Sequence, residues 1–213
     1  MVEAKSKVEE IRSTFNINNP IIMYVGNLEF YQGIDLLLEG FTAFVKQGQI
    51  KASLVIIGGN QQSIIQYSEK ASQLGMRDSV YFIGARPFET LSSYLSQADI
   101  LVSPRLKGVN TPMKLFSYLK SGKPTLVTNL ITHTQVVDSN TAYLVEPTPE
   151  GIAQGLNTLL TNQELREKLG DAGKELIETC YSHDAFVQKF DQALSWLESE
   201  LRKHHKQARG LAI

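Results

Sequence analysis

Cysteine is nearly absent from this sequence: Cys180 stands alone among 213 residues, which excludes an internal disulfide framework. Four histidines are scattered without metal-ligand spacing, so no metal is expected. Neither sign of charge is in excess. With 21 basic and 22 acidic residues the net charge is −1, unlike the basic surplus of a general nucleic-acid binder. Long apolar runs are also missing. None nears the roughly 20 residues that span a bilayer, and residues 1–20 are polar and charged, without the apolar stretch of a signal peptide. These absences predict a soluble, cytoplasmic chain. The GxGxxG fingerprint and the Gly-Lys-Ser/Thr ending of a P-loop are absent too, which argues against those two phosphate sites.

What the chain does contain is a series of short apolar runs rich in Val and Ile, each bounded by Gly, Pro, Ser or Asn. They are "IIMYVG" (21–26), "SLVIIGG" (53–59), "VYFIG" (80–84), "DILVSP" (99–104), "PTLVTN" (124–129) and "AYLVEP" (142–147). Polar alternation is missing from them, so they read as strands buried on both faces. Helical patterns lie between. "GIDLLLEGFTAFVKQ" puts Ile34, Leu37, Leu38, Phe41 and Val45 on one face, and "FETLSSYLSQA" does the same with Leu91, Tyr94 and Leu95. The alternation predicts a doubly wound, Rossmann-like parallel sheet of about six strands with helices on both faces. Helices are expected afterwards over about 150–161, 163–180 and 184–203, the last with a stripe of Phe186, Phe190, Leu194, Leu197 and Leu201 that packs on the domain or on a neighbour. Residues 3–15 read as a further helix. The expected organisation is a linker helix over 1–17, one domain over 18–203 and a flexible tail over 204–213, whose basic residues are either solvated or touch an acidic membrane surface.

Ligands in such sheets bind beyond the carboxyl ends of the strands. Three loops there stand out: "GNLEFYQG" (26–33), "GGN" (58–60) and the start of "SPRLKGVNTPMKLFSYLKSGKP" (103–124). Gly26, Gly33, Gly58, Gly59 and Gly108 either make tight turns or let backbone approach a ligand. In the third loop Thr111 is placed as a helix cap, Pro112 at the first helical position and Lys114 in the first turn. A cation facing the positive end of a helix dipole calls for an anion. One reading is an anion pocket made by the helix start and Lys114, with Arg105 supplying a forked contact; the other is that Lys114 points to water or pairs with Glu29. His133 in "LITHTQVV" is either a general base or a hydrogen-bonding loop residue, with no partnered nucleophile motif beside it. Phe30 and Tyr31 either stack on a base or sugar or pack in the core.

Taken in order, "MYVGNLEFYQGIDLLLEGF", "LVIIGGN", "VYFIGARPFETLSSYLSQADILVSP", "NTPMKLFSYLKSGKPTLVT" and "AYLVEP" resemble the carboxy-terminal domain of glycosyltransferase family 4, also called group 1, from about residue 18 to about 200. The resemblance implies half of a two-domain GT-B architecture that binds a nucleotide diphosphate sugar as donor substrate, with no cofactor. It also implies retaining, metal-independent transfer to a glycoconjugate acceptor held by a missing amino-terminal domain, on the same or a separate chain. That domain is the expected route to any peripheral membrane contact, and the isolated half is expected to be inactive without it.

The chain departs from the family pattern where charge matters. The family's Arg and Lys on the first loop correspond to Asn27 and Gln32, and its two glutamates eight positions apart correspond to Val109 and Ser117. The presence of Arg105 and Lys114 in the same pocket suggests relocated phosphate contacts and the catalytic stabilisation of a leaving diphosphate. Asn27, Gln32, Asn110, Thr111 and Ser117 would then supply neutral hydrogen bonds. By position in the family, the base lies near "GARP" (84–87) with Arg86, the diphosphate meets Gly26, Asn27, Arg105 and Lys114, and His133 closes over the sugar. The alternatives are a non-catalytic nucleotide- or partner-binding module, such as one half of a two-chain transferase, and a GT-B sugar-nucleotide epimerase.

Overall fold

The computed structural model describes residues 8–48 and 50–210, with side-chain surroundings to residue 201. Six strands form one parallel sheet: β1 (Ile21–Val25), β2 (Ser53–Ile57), β3 (Val80–Gly84), β4 (Ile100–Ser103), β5 (Thr125–Thr128) and β6 (Tyr143–Val145). Their order is β3-β2-β1-β4-β5-β6, so the winding reverses between β1 and β4, where Ile22 pairs with Ile100 and Met23 with Leu101. The expected doubly wound fold is what the chain adopts. A crevice opens where neighbouring loops leave the sheet in opposite directions.

The strands do not alternate in polarity because both faces are covered. Within β1, Ile22 and Tyr24 point to one apolar cluster and Ile21 and Met23 to another. The first cluster packs under α2 (Ile34–Lys46), α3 (Gln61–Gln73) and α7 (Pro149–Thr161), and includes the fully buried Leu37, Phe41 and Ile152. The second packs under α1 (Ile11–Thr14), α4 (Leu91–Leu95) and α5 (Lys114–Lys120), through Ile11, Tyr94 and Tyr118. Each such side chain contributes about 1.5–3 kcal/mol on burial. Local signals set the helix starts. Asn60 and Ser63 form a reciprocal capping box at α3, and Thr148 accepts from Gly151 N at 3.1 Å ahead of Pro149 in α7.

Two expected helices are shorter than the sequence implied. Of the helix placed at 3–15, only Ile11–Thr14 is helical; residues 8–10 are not, and 3–7 lie outside the described residues. Glu9 instead lends its backbone to α4 and the turn after it, its N–H donating to Tyr94 Oη at 3.4 Å and its carbonyl accepting from Gln97 Nε2 at 3.1 Å. Ile11 and Ile17, on the segment read as a linker, sit in the core beneath that face. The helix expected to start at Pro112 begins at Lys114.

The chain divides into two compact units that meet between Lys174 and Glu175, inside α8 (Gln163–Cys180). The second unit consists of the end of α8 and α9 (His183–Gly210), along which Phe186, Phe190, Leu194, Leu197 and Leu201 are exposed. Among the described residues no helix is long and apolar enough to cross a membrane.

Candidate functional site: two cations at the switch point

Glycines join the loops that frame the crevice. Gly33 has φ +77°, and a Cβ there would lie 1.9 Å from the carbonyl oxygen of Pro104, so the β1 and β4 loops touch backbone to backbone. Leu106 N donates to Tyr31 O at 3.0 Å along the same seam. Gly58 (φ +117°) closes in the same way on Gly26, whose carbonyl oxygen would stand 2.1 Å from an added Cβ. The close approaches at Gly58 and Gly59 are therefore to Gly26 and to Leu28, where the sequence left open an approach to a ligand.

Lys114, the first residue of α5, reaches into this crevice. Its Nζ donates to Gln32 Oε1 at 2.9 Å and sits 3.9 Å from the centroid of the Tyr24 ring. Gly26 leaves room for it, since a Cβ there would come within 3.1 Å of Nζ. Desolvation, and then the charge of Arg105, push the Lys114 pKa well below its ordinary value. The expected alternative partner, Glu29, is not bonded to it; the buried Gln32 carboxamide is. Gln32 thus acts through Lys114.

Arg105 is held by the loop that it organises. Its Nη1 donates to Asn110 O at 2.6 Å and to Thr132 Oγ1 at 2.9 Å, and the guanidinium lies 5.2 Å from the Tyr31 ring centroid. Thr132 donates to the same Asn110 carbonyl, and Thr128 Oγ1 donates to Arg105 O, both at 2.7 Å. Gly108 packs 3.3 Å from the guanidinium carbon where a Cβ would stand, and the buried Arg105 Nε has no partner among the described residues. Nor is either cation paired there with a carboxylate.

The other candidates divide. Asn27 is exposed, and its carbonyl accepts from Tyr24 Oη at 2.6 Å. Asn110 contributes its carbonyl to the Arg105 loop. Ser117, one turn past Lys114, lines a cleft of about 510 Å³ between α4 and α5, together with Phe88, Leu91, Ser92 and Lys120. Thr111 does not cap α5: its Oγ1 accepts from Gln135 Nε2 at 2.5 Å, and α5 begins without a side-chain cap. With seven residues and Lys114 at its first position, α5 makes a weak dipole, so the anion attraction rests on the two side chains.

Two further candidates are bonded within the protein. Arg86 is spent on the protein: Nη2 pairs with Glu9 Oε2 at 2.7 Å, Nε donates to Tyr94 Oη at 3.1 Å, and Nη1 donates to Ile83 O. His133 takes the hydrogen-bonding role that its loop allowed. It is fully buried, with Nδ1 2.9 Å from Thr128 O and Nε2 2.9 Å from Ser103 Oγ, the pattern of a neutral imidazole that donates from Nδ1 and accepts at Nε2.

Burial pushes the His133 pKa down to about 4 from an ordinary 6.5. Below pH 6.5 the unfolded chain therefore takes up a proton that the folded chain refuses, and stability falls as pH drops towards 4, by up to about 3 kcal/mol. In His133→Gln that portion of the slope is absent. Urea unfolding at pH 7 and pH 4.5 checks it; equal slopes in the two proteins would refute the assignment.

Sequence reasoning missed Tyr24, which reads as one more apolar strand residue, and the apolar wall at Phe88 and Leu91. Gln135 was visible only as a polar residue in a loop.

With the geometry in place, comparison with known proteins gives consistent results. The model of the family described as glycosyl transferases group 1 matches residues 7–176. An uncharacterised glycosyltransferase of Methanocaldococcus jannaschii is 22% identical over 191 residues, 89% of this chain and 48% of its own length. This chain spans about half the length of the curated relatives it matches. Among solved structures, Anabaena HepE in complex with UDP superimposes with a TM-score of 0.75 at 14% identity, over 87% of this chain and 51% of its own. The carboxy-terminal domain of a group 1 family protein from Francisella tularensis gives 0.69 at 22% identity, over 80% and 91%. Because the family match runs from the segment before β1 through every strand of the sheet and into α8, the chain belongs to the glycosyl transferase group 1 family.

Proposed function

We propose that this chain is the donor-binding half of a retaining, metal-independent glycosyltransferase that moves a sugar from a nucleotide diphosphate sugar to a glycoconjugate acceptor. One observation carries the reading: Lys114 and Arg105 converge at the switch point with no carboxylate among the described residues to neutralise them. A diphosphate supplies the missing negative charge, and the Arg105 Nη2 and Lys114 Nζ protons face it as donors. As the sugar departs, charge grows on the diphosphate oxygen, and the same two cations stabilise it where water is partly excluded. Asn27 and Gln32 are uncharged, so the phosphate contacts have moved to α5 and the β4 loop, with Gln32 keeping Lys114 in place. The nucleoside lies in the cleft between α4 and α5, with Ser117 on its hydroxyls and Phe88 and Leu91 on its apolar surface. HepE, a structural neighbour, is seen with UDP, which supports the donor class. Most of the acceptor site comes from the half of the protein that the relatives have and this chain does not span.

A second reading, nucleotide binding without transfer, is favoured by Val109 and Ser117, neither of which supplies a carboxylate. Titration calorimetry of the chain with UDP, GDP, ADP and their sugar conjugates, with and without EDTA, tests the first part. Saturable binding of one nucleotide, unchanged by EDTA, is expected; no heat from any of them at millimolar concentration overturns the donor-binding reading. Transfer by the chain supplemented with the missing half then decides between the two readings.

A further inference from the structure

The β1 loop borders a second recess, of about 260 Å³, at the carboxyl ends of β1 and β2. It shares no side chain with the Lys114 pocket, and its chemistry is different. Glu29 and Phe30 come from the loop, Asp35 from the first turn of α2, and Gln62 and Gln66 from α3, where a spacing of four residues puts them on one face. The walls are fixed. Asp35 accepts from Lys70 Nζ at 2.5 Å and from Tyr67 Oη at 3.1 Å, and the capping box holds the first turn of α3. Glu29, Gln62 and Gln66 have no side-chain partner among the described residues, so a carboxylate and two carboxamides remain open, acceptors and donors together. Lys70 is already shared between Asp35 and Glu39, and the second cation nearby, Lys107, whose Nζ lies 6.0 Å from the Phe30 ring centroid, is offset by Glu29, so the recess has no surplus of positive charge to draw a phosphate. Phe30 beside them is 63% exposed.

We infer that this recess binds a neutral pyranose ring of the acceptor glycan, with Glu29, Gln62 and Gln66 on its hydroxyls and Phe30 on its C–H face. Sugar hydroxyls both donate and accept, and the two faces of a pyranose are apolar enough to lie on an aromatic ring. That the sugar belongs to the acceptor rests on the transferase reading; that it binds here does not.

The test is nuclear magnetic resonance titration of the whole chain with methyl glycosides of glucose, galactose, mannose and N-acetylglucosamine at tens of millimolar. At least one is expected to shift the side-chain amides of Gln62 and Gln66 and the Phe30 ring. The double variant Gln62→Ala/Gln66→Ala, with an unchanged melting temperature, should weaken that glycoside by about tenfold or more. UDP is titrated separately and is expected to shift residues around Lys114 equally in both proteins. No shift with any glycoside overturns the proposal, as does binding that survives the double variant or a recess that responds to UDP. Loss of the UDP response alone would count against the donor reading and leave the sugar result standing.

Discussion

Lys114→Met abolishes most nucleoside diphosphate affinity, by about a hundredfold, while the melting temperature stays the same or rises. The first half follows from charge-assisted hydrogen bonds to phosphate, each worth about 1.5–3 kcal/mol against 1.4 kcal/mol per tenfold in affinity. The second follows from the free site. There the ammonium is desolvated, repelled by Arg105 and matched by no carboxylate, so the folded state gains when the charge is removed. Against that gain, Gln32 Oε1 loses its donor, a cost of about 1–3 kcal/mol, while Met keeps the packing of the aliphatic stem on Tyr24. The pH dependence carries the same signature. With the folded pKa lowered, the unfolded chain holds a proton above it that the folded chain has released, so wild-type stability rises as pH climbs towards the ordinary lysine range. Lys114→Met lacks that rise. A loss of several degrees with intact UDP binding would make Lys114 a structural residue and remove the carrying observation for the donor site.

Gly33→Ala is expected to cost about 4 kcal/mol or more, at the far end of single-substitution effects. Two penalties coincide. The residue has φ +77°, a conformation that an L side chain adopts only under strain, and its Cβ would meet the Pro104 carbonyl oxygen at 1.9 Å. That oxygen is backbone and cannot swing away, so the β1 and β4 loops have to part and the crevice opens. Gly48 is the internal control. It has φ +70° but nothing within 4 Å, so Gly48→Ala meets only the left-handed penalty of roughly 1–2 kcal/mol. Urea unfolding of both variants separates the two contributions; equal costs would show that the contact with Pro104 yields freely.

The two substitutions also mark how much of the site could be read from the chain. Arg105, Lys114 and the loop glycines are legible because charge and turn residues at strand ends have few other uses in a buried parallel sheet. The partners are not legible, because they come from distant segments. Gln32 meets Lys114 across 82 positions, and Glu9 meets Arg86 across 77. The surroundings of Arg86 were illegible for that reason: nothing near "GARP" announces that Glu9 arrives to pair with the guanidinium. Of the two readings of His133, the hydrogen-bonding one holds, but its burial is not legible from the loop: α6 (Ile131–Thr134) turns it inward onto Ser103 and Thr128, which satisfy both ring nitrogens. Thr111 has the composition of a cap, but Gln135 takes its hydroxyl and the helix starts three residues later.

Strand number, parallel direction, the order of helices and the carboxyl-end location of the site are consequences of local pattern: non-alternating Val and Ile runs separated by amphipathic segments allow few other folds. Which cation is left without a counter-charge, which polar residues are consumed within the protein and which recess stays open depend on pairings between segments dozens of residues apart. Hydrogen bonds and desolvation act over a few ångströms in space, and only the closed sheet decides which residues come that near.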